Sequence, residues 1–348
     1  MGRAGDIPGS VDGARTVIAR RQRGVALITI LLIVALVTAL MYHLMTRQAL
    51  VVAQTRQVVR ADQSLAYALG AEAYARQILF DDWNRPTSRT LDTLREPWAV
   101  PAVPFDIETG TLELSIEDLD RRFNLNSLAG EAATKNTTRL KTLLGALGLD
   151  PAAADAWRDW IDSDLEATGF GAEDSAYLVA TPPFRTANQL AASTSEFALL
   201  QLLDADQLAR FLPYVATLPT TALRVNVNTA AAPTLEALSQ HVTPTQAETL
   251  IESDRHYEDT GAIVADVPEF SDSIDAMAVV SSYFEIHARA EFDGFRTELT
   301  SVVYRDPSTG HLTLLSRDFG KRLPSAVEAQ EAQDAQDAQD PKKKSSKG

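Results

Sequence analysis

From Val25 to Thr46 the chain reads VALITILLIVALVTALMYHLMT, a run without Asp, Glu, Lys or Arg. As a helix this run is about 33 Å long, enough to cross a bilayer core. The helical pattern then continues without Pro to about Asp82. Val51, Val58 and Leu65 recur at heptad spacing, with Ala61 and Ala68 offset by three, while Gln54, Arg56, Arg60 and Asp62 take polar positions. This predicts one long helix. Its first half has membrane length, and its second half packs on a globular domain through a stripe of period 3.5–3.6. Asn84, Arg85 and Pro86 end it.

A connector with Pro97, Pro101 and Pro104 follows, and then the period changes to two. In FDIETGTLELSIEDLD, Leu112, Leu114 and Ile116 alternate with polar residues. The next comparable alternation comes at 283–304, where Phe284, Ile286, Ala288, Ala290 and Phe292 share a face. Asp293-Gly294 is a favoured hairpin turn, Leu299, Ser301 and Val303 continue on the return strand, and HLTLLS at 311–316 makes another. Strands on both sides of a long helical region predict an α+β fold with an inserted all-α domain.

The insertion echoes itself. Asn124-Leu125-Asn126 opens one half and Asn226-Val227-Asn228 the other, and helical patterns follow each, with Pro151 and Pro244 near the starts of the second helices. Two helical-hairpin modules result, with the asparagines as structural caps rather than ligands. From about Ser325 the chain reads EAQEAQDAQDAQDPKKKSSKG, a repeat of three that predicts a disordered tail.

Charge sets the orientation. Arg3, Arg15, Arg20, Arg21 and Arg23 precede the apolar run, against Asp6 and Asp12. That excess keeps the N-terminus in the cytoplasm and the rest outside. No A-x-A-like cleavage site follows the run, in contrast to a secretory signal. Hydropathy alone gives a single-pass anchor. The chain's net charge is −15, and residues 1–47 hold six Arg against two Asp, so the remainder carries −19. Cysteine is absent, which excludes disulfides and thiol chemistry.

The strongest site signal is WRDWIDSDLEATGFGAEDSAYL. With Asp162 at loop position 1, Asp164 falls at 3, Glu166 at 5 and Glu173 at 12, the carboxylate spacing of an EF-hand. Position 6 is Ala167 where that loop needs Gly, so a different turn would have to gather the oxygens. Acids this close repel one another, and a hard cation such as Ca²⁺ relieves them. The candidate ligands are Asp162, Asp164, Glu173 and Asp174, with Glu166 beside them and Asp159 outside the set. The alternative is a solvated acidic loop.

Catalytic motifs are missing. The sequence contains no H-E-x-x-H, G-x-S-x-G or P-loop, and Gly169-Phe170-Gly171 lacks the third Gly of a dinucleotide fingerprint. The second module is similar to the helix-hairpin-helix modules of DNA-uptake receptors. Yet residues 225–268 carry Arg255 against seven acids and no Gly in the hairpin, the wrong sign for phosphate.

Arg20, Arg21, Gln22, Arg23 and Gly24 before an apolar helix resemble the start of a type IV prepilin. The fifth residue after Gly24 is Thr29, where pilin-like proteins usually carry Glu. With the missing Glu, the large helical insertion and the acidic W-x-D-x-D…G-x-E-D segment, the chain is similar to the K-type minor pseudopilins of type II secretion. That resemblance implies a pilin-like fold: a long N-terminal helix on a small antiparallel sheet, with an insertion of two SAM-like modules. It implies a leader at 1–24, a transmembrane segment at 25–46, stem and first strands at 47–119, and the insertion at 120–282, divided near 220. The last strands would occupy 283–322 and the tail 323–348. It also implies cleavage between Gly24 and Val25 by prepilin peptidase, N-methylation of Val25 and bound structural calcium. The implied place is the inner membrane and then the pseudopilus tip in the periplasm. Partners would be the I-, J- and H-type minor pseudopilins, the major pseudopilin, the inner-membrane assembly platform and inner-membrane lipid, with no nucleic acid. Two other classes share the leader or anchor: a minor pilin of a type IV pilus or DNA-uptake system, and a membrane-anchored periplasmic binding protein or enzyme.

Overall fold

A computed structural model of the chain describes residues 15–86, 88–100, 104–107 and 109–320, with side chains from Gly24 onward. Residues 1–14 of the expected leader, Pro101 and the expected tail beyond Gly320 lie outside the described residues. The chain divides into two units, residues 1–62 and 63–348.

In the first unit α1 (Arg15–Trp83) is apolar on every side from Val25 to Met45. It is long and apolar enough to cross a membrane by length and composition. The Thr29, Thr38, Thr46 and Thr55 hydroxyls donate to carbonyls one turn back at 2.7–3.0 Å. Each polar side chain of that kind is therefore satisfied within its own helix, as an apolar medium requires.

In the second unit α1 packs on a sheet, but not through the expected stripe. Val51, Val58 and Ala61 are exposed and Leu65 is half-buried. The buried positions are Ser64, Ala68, Ala71, Glu72, Ala75, Leu79 and Asp82. They have helical spacing, yet three are polar, which hid them from a search for apolar residues. The alanines let the sheet approach closely, and Ser64 and Glu72 are committed by hydrogen bonds, while Asp82 faces the Arg305 and Arg85 guanidinium groups at 3.6 and 3.8 Å. The Ser64 hydroxyl donates to Ala290 O at 3.0 Å. Glu72 accepts from the Ser301 hydroxyl at 2.8 Å and from Arg317 Nε and Nη2 at 2.6 and 2.8 Å. Burial alone would raise the Glu72 carboxyl, but these bonds outweigh it and hold it below its ordinary range.

Chain order after α1 is β1 (Phe105–Ile107) and β2 (Gly110–Asp118), then the insertion, then three more strands. The insertion contains β3 (Phe123–Asn124), α2 (Ala133–Ala146), α3 (Ala152–Ile161), α4 (Asp174–Tyr177), α5 (Ala205–Phe211) and β4 (Val215–Ala216). It continues with β5 (Val225–Asn226), α6 (Ala232–Leu238), α7 (Pro244–Glu252), α8 (Thr260–Asp266) and β6 (Met277–Ala278). The last strands are β7 (Tyr283–Phe292), β8 (Phe295–Arg305) and β9 (Leu312–Asp318). The five-stranded sheet is antiparallel in the order β1-β2-β7-β8-β9. Leu114, Ile116, Phe284, Ile286, Ala288, Ala290, Leu299 and Val303 form its buried face under α1. Asp293 and Gly294, both at positive φ (48° and 82°), turn β7 into β8.

The two halves of the insertion are built alike. Each opens on a two-residue strand and closes on a parallel partner, β3 with β4 and β5 with β6. Asn124 and Asn226 hold equivalent places: each side-chain oxygen accepts the backbone N–H two residues on, from Asn126 at 3.2 Å and Asn228 at 3.0 Å. Their amide groups span outward, Asn124 to Thr220 O and Ala222 O, Asn226 to Asp92 O and Ser281 Oγ. Pro151 stands at the N-cap of α3 and Pro244 is the first residue of α7. Trp157 stacks on Phe197 at 5.1 Å, and Phe197 meets Phe211 at 4.6 Å, at the centre of the first half.

The chain leaves the sheet at Asp118 and returns at Tyr283, and buried carboxylates hold the two passages together. Asp118 accepts from the Thr229 and Ser281 hydroxyls at 2.6 and 2.7 Å. Asp120 accepts from the Ser282 and Tyr283 N–H groups at 2.5 and 3.1 Å. Asp92 takes Ser281 N at 2.7 Å and Arg305 Nη2 at 2.5 and 2.6 Å. Asn226→Ala would leave Ser281 Oγ, Asp92 O and Asn228 N–H with lost partners in a buried site. The expected outcome in chemical denaturation is a loss of about 2–3 kcal/mol, and a change below about 0.5 kcal/mol would show that the network is not structural.

Candidate metal centre

The acidic segment folds back along the helix that precedes it. Asp155 and Asp159 lie one turn apart on α3. Asp155 Oδ2 accepts from Lys141 Nζ at 2.9 Å and from Phe170 N at 3.2 Å. Asp159 accepts from Thr168 N at 2.9 Å and from the Thr168 hydroxyl at 2.6 Å. These bonds bring the backbone of 168–171 against the two carboxylates. Gly169 is at positive φ (57°), and a Cβ at either Gly169 or Gly171 would collide with a carboxylate oxygen, of Asp155 or Asp159 respectively. The turn therefore needs glycine there and not at Ala167, which accounts for the departure from EF-hand spacing.

Asp162 caps the C-terminus of α3, its N–H donating to Arg158 O at 3.0 Å. Asp164 accepts from Glu166 N at 2.8 Å. Glu173 stands at the N-cap of α4 with its side chain buried. Ligand oxygens of Asp162, Asp164 and Glu173 all lie within 4.8 Å of one another. Asp162 Oδ1 and both Glu173 oxygens are buried without a hydrogen bond. Trp160, Tyr177 and Phe184 pack edge-on or tilted beside them, with centroids 5.3–6.2 Å apart.

The other two candidates fall outside this group. Glu166 is exposed. Asp174 is occupied by Thr186 N at 3.0 Å, the Thr186 hydroxyl at 2.9 Å and Arg185 Nη1 at 3.0 Å, so it pins the 185–186 segment. Asp155 and Asp159 are the positioning residues that the sequence reading missed. Their signal was present: two acids four apart on a helix, facing two glycines two apart.

Electrostatics fit an oxygen-seeking cation. Burial pushes Glu173 up to about 7, reinforced by Asp159, Asp162, Asp164 and Asp174. Burial also raises Asp162, helped by Asp164 and Asp159. Of the nearby bases, Lys141 pairs with Asp155 and Arg185 with Asp174, and Arg158 offsets only part of the rise at Asp162. Buried oxygens with unused lone pairs and excess negative charge suit a hard divalent ion.

At the N-terminal end, a Cβ on Gly24 would meet nothing within 4 Å, and Thr29 Oγ1 donates to Val25 O and Ala26 O at 3.0 and 2.9 Å. A long N-terminal helix whose second half packs on an antiparallel sheet, with a large helical domain inserted between two strands of that sheet, is a pilin-like architecture. Residues 121–220 match the family profile described as type II secretion system (T2SS), protein K. A type II secretion system protein K of Pseudomonas aeruginosa is 34% identical over 325 residues, covering 87% of this chain and 94% of that one. One from Aeromonas hydrophila is 31% identical over 312 residues, covering 82% and 94%. A chain in the crystal structure of the GspK-GspI-GspJ complex from enterotoxigenic Escherichia coli is 26% identical, with a TM-score of 0.69 over 77% of this chain and 100% of its own. The chain belongs to the type II secretion system protein K family. It is a minor pseudopilin of the type II secretion system, a structural role, and that membership sets aside the type IV pilus and periplasmic-receptor readings.

Glu173 binds its proton more tightly folded than unfolded. Between its ordinary 4.5 and about 7 the folded state holds the extra proton, so its contribution to stability falls as pH rises and is lost above about 7. In a chelator, Glu173→Gln should therefore be more stable than the parent at pH 8, with the gap shrinking to nothing near pH 4. Thermal melts at both pH values measure this, and a gap independent of pH would refute the assignment.

Proposed function

We propose that this pseudopilin sits at the tip of the pseudopilus and begins its assembly with other minor pseudopilins, so that folded proteins leave the periplasm across the outer membrane. The observation that carries this reading is Thr29. A subunit inside a filament would need a carboxylate there for the buried amine of its neighbour, because an unpaired buried charge is costly. The Thr29 hydroxyl is satisfied by its own helix and offers no charge. The terminal subunit has no such amine to neutralise. The insertion supports the same place, since repeated copies of it along a shaft would collide. The similar Escherichia coli chain comes from a GspK-GspI-GspJ complex, which supports I- and J-type partners here. The H-type and major pseudopilins and the assembly platform complete the set.

In this reading the chain is cut between Gly24 and Val25, Val25 is N-methylated, and residues 25–46 hold it in the inner membrane with its bulk in the periplasm. Co-expression with a prepilin peptidase should yield a mature chain that starts at N-methylated Val25, read by peptide mass. An intact leader under those conditions would overturn the pseudopilus role and leave a simple anchor.

Calcium belongs to the same proposal. Asp162, Asp164 and Glu173 would hold the ion, and its contribution is to neutralise and order the 162–174 loop rather than to take part in chemistry. Asp164→Ala should lower the melting temperature by several degrees in calcium and leave it unchanged in a chelator. Equal shifts in both conditions would show that the loop takes no ion.

A further inference from the structure

Outside α1, the three most exposed large apolar side chains among the described residues all lie between positions 165 and 179. They are Leu165, Phe170 and Val179, at 65%, 80% and 83% exposure. The segment that carries them folds back on itself, because Glu173 returns to Asp162 and Asp164. Leu165 and Phe170 therefore stand on one closed loop, and α4 leads from its end to Leu178 and Val179. Apolar surface gathered in this way on a soluble domain marks a contact with something else. The Phe170 backbone is also held in place. Its N–H donates to Asp155 Oδ2 at 3.2 Å, and Asp159 takes the N–H and hydroxyl of Thr168 at 2.9 and 2.6 Å. Both acids are buried on α3, and a Cβ at Gly169 or Gly171, on either side of Phe170, would collide with them. Two buried acids and two required glycines thus fix the backbone around an aromatic ring that its own fold leaves in water.

Charge narrows what can cover this surface. Residues 162–184 hold five acids, Asp162, Asp164, Glu166, Glu173 and Asp174, and neither Lys nor Arg. Asp164 and Glu166 are exposed on either side of Leu165. At the border of the segment, Arg185 pairs with Asp174. A divalent ion at the metal centre would still leave the segment negative. That sign repels nucleic-acid phosphates and anionic lipid headgroups. A protein face with an apolar pocket and basic side chains around it matches both the ring and the rim. A backbone that is already ordered also lowers the entropic cost of docking.

We propose that Phe170, flanked by Leu165 and Val179, anchors a protein-docking surface on the insertion, and that its partner is a folded protein with an apolar pocket rimmed by Lys or Arg. Phe170 enters the pocket and Glu166 meets the rim. Asp155 and Asp159, rather than the candidate metal ligands, set the Phe170 turn, so this surface stands whether or not the loop takes an ion.

The test places the photo-crosslinker p-benzoylphenylalanine at position 170 or 179 of the full chain, in cells that carry the complete secretion machinery. The exposed position 240, in the other half of the insertion, is the control. Ultraviolet light should join 170 and 179 to one protein that 240 does not reach. Peptide mass should map the bond to apolar residues with Lys or Arg beside them, and Glu166→Lys should lower the adduct yield several-fold. In the same cells Phe170→Ser should cut export of a secreted enzyme by about tenfold or more, while Phe170→Trp keeps it. The melting temperature of the purified Phe170→Ser chain in detergent should stay parental, which separates docking from folding. An adduct on a second copy, on lipid or on residues 321–348 of the same chain would overturn the proposal, as would no adduct or the same adduct from 240. So would a parental yield in Glu166→Lys, or parental export by both Phe170→Ser and Val179→Ser.

Discussion

The structure depends on a buried polar seam where the insertion joins the sheet. Asp118, Asp120, Asn226, Ser281, Asp92 and Arg305 are all buried, and they come from the end of β2, the connector, the middle of the insertion and the end of β8. Burial and the neighbouring Asp118 push Asp120 up to about 8. Replacing such a seam with apolar residues can be neutral for stability. Its value is positional: an apolar joint would accept many orientations, and this one accepts the orientation that satisfies each donor. The folded passages on either side then have fixed starting points.

From that seam the two halves of the insertion follow a common plan. Asn124 and Asn226 each cap their own turn and also reach across to the returning chain, at Thr220 and Ala222 and at Ser281, so a single side chain both opens a half and closes it. The same economy governs the acidic loop. Asp155 and Asp159 hold the backbone of Phe170 and Thr168, and that frame brings Glu173 back to Asp162 and Asp164. Positioning acids on a rigid helix thus serve other acids on a loop.

Much of this was legible beforehand because it followed periodicity. The membrane-length run, the alternation of β2, β7 and β8 and the Asp293-Gly294 turn each have a period or a dipeptide that only one local structure satisfies. The repeated Asn-x-Asn was readable for the same reason. What escaped was polar and non-local. Ser64, Glu72 and Asp82 sit in the packed face of α1 because their partners on β7, β8 and β9 lie more than two hundred residues away. A stripe drawn through valines therefore ran too early along the helix. Asp174 was a candidate ligand because it follows Glu173 in the acidic segment, and here Arg185 and Thr186 bond its oxygens; partners eleven or twelve residues on leave no mark in the run of acids.

The pairing of β2 with β7 puts Asp118 opposite Phe284, and Leu119 N–H donates to Tyr283 O at 2.9 Å. In terms of connectivity, residues 119–282 are therefore one very long hairpin loop between adjacent strands. Chain entropy treats such a loop gently, since each doubling of its length costs only about 0.6 kcal/mol. A lineage could enlarge, shrink or exchange what lies between those two strand ends, as long as the seam members Asp120, Asn226 and Ser281 are kept, while the strands themselves stay in register. The pilin-like sheet and its passenger are thus free to change at different rates, and the tolerance is written into the adjacency of two strands rather than into the passenger.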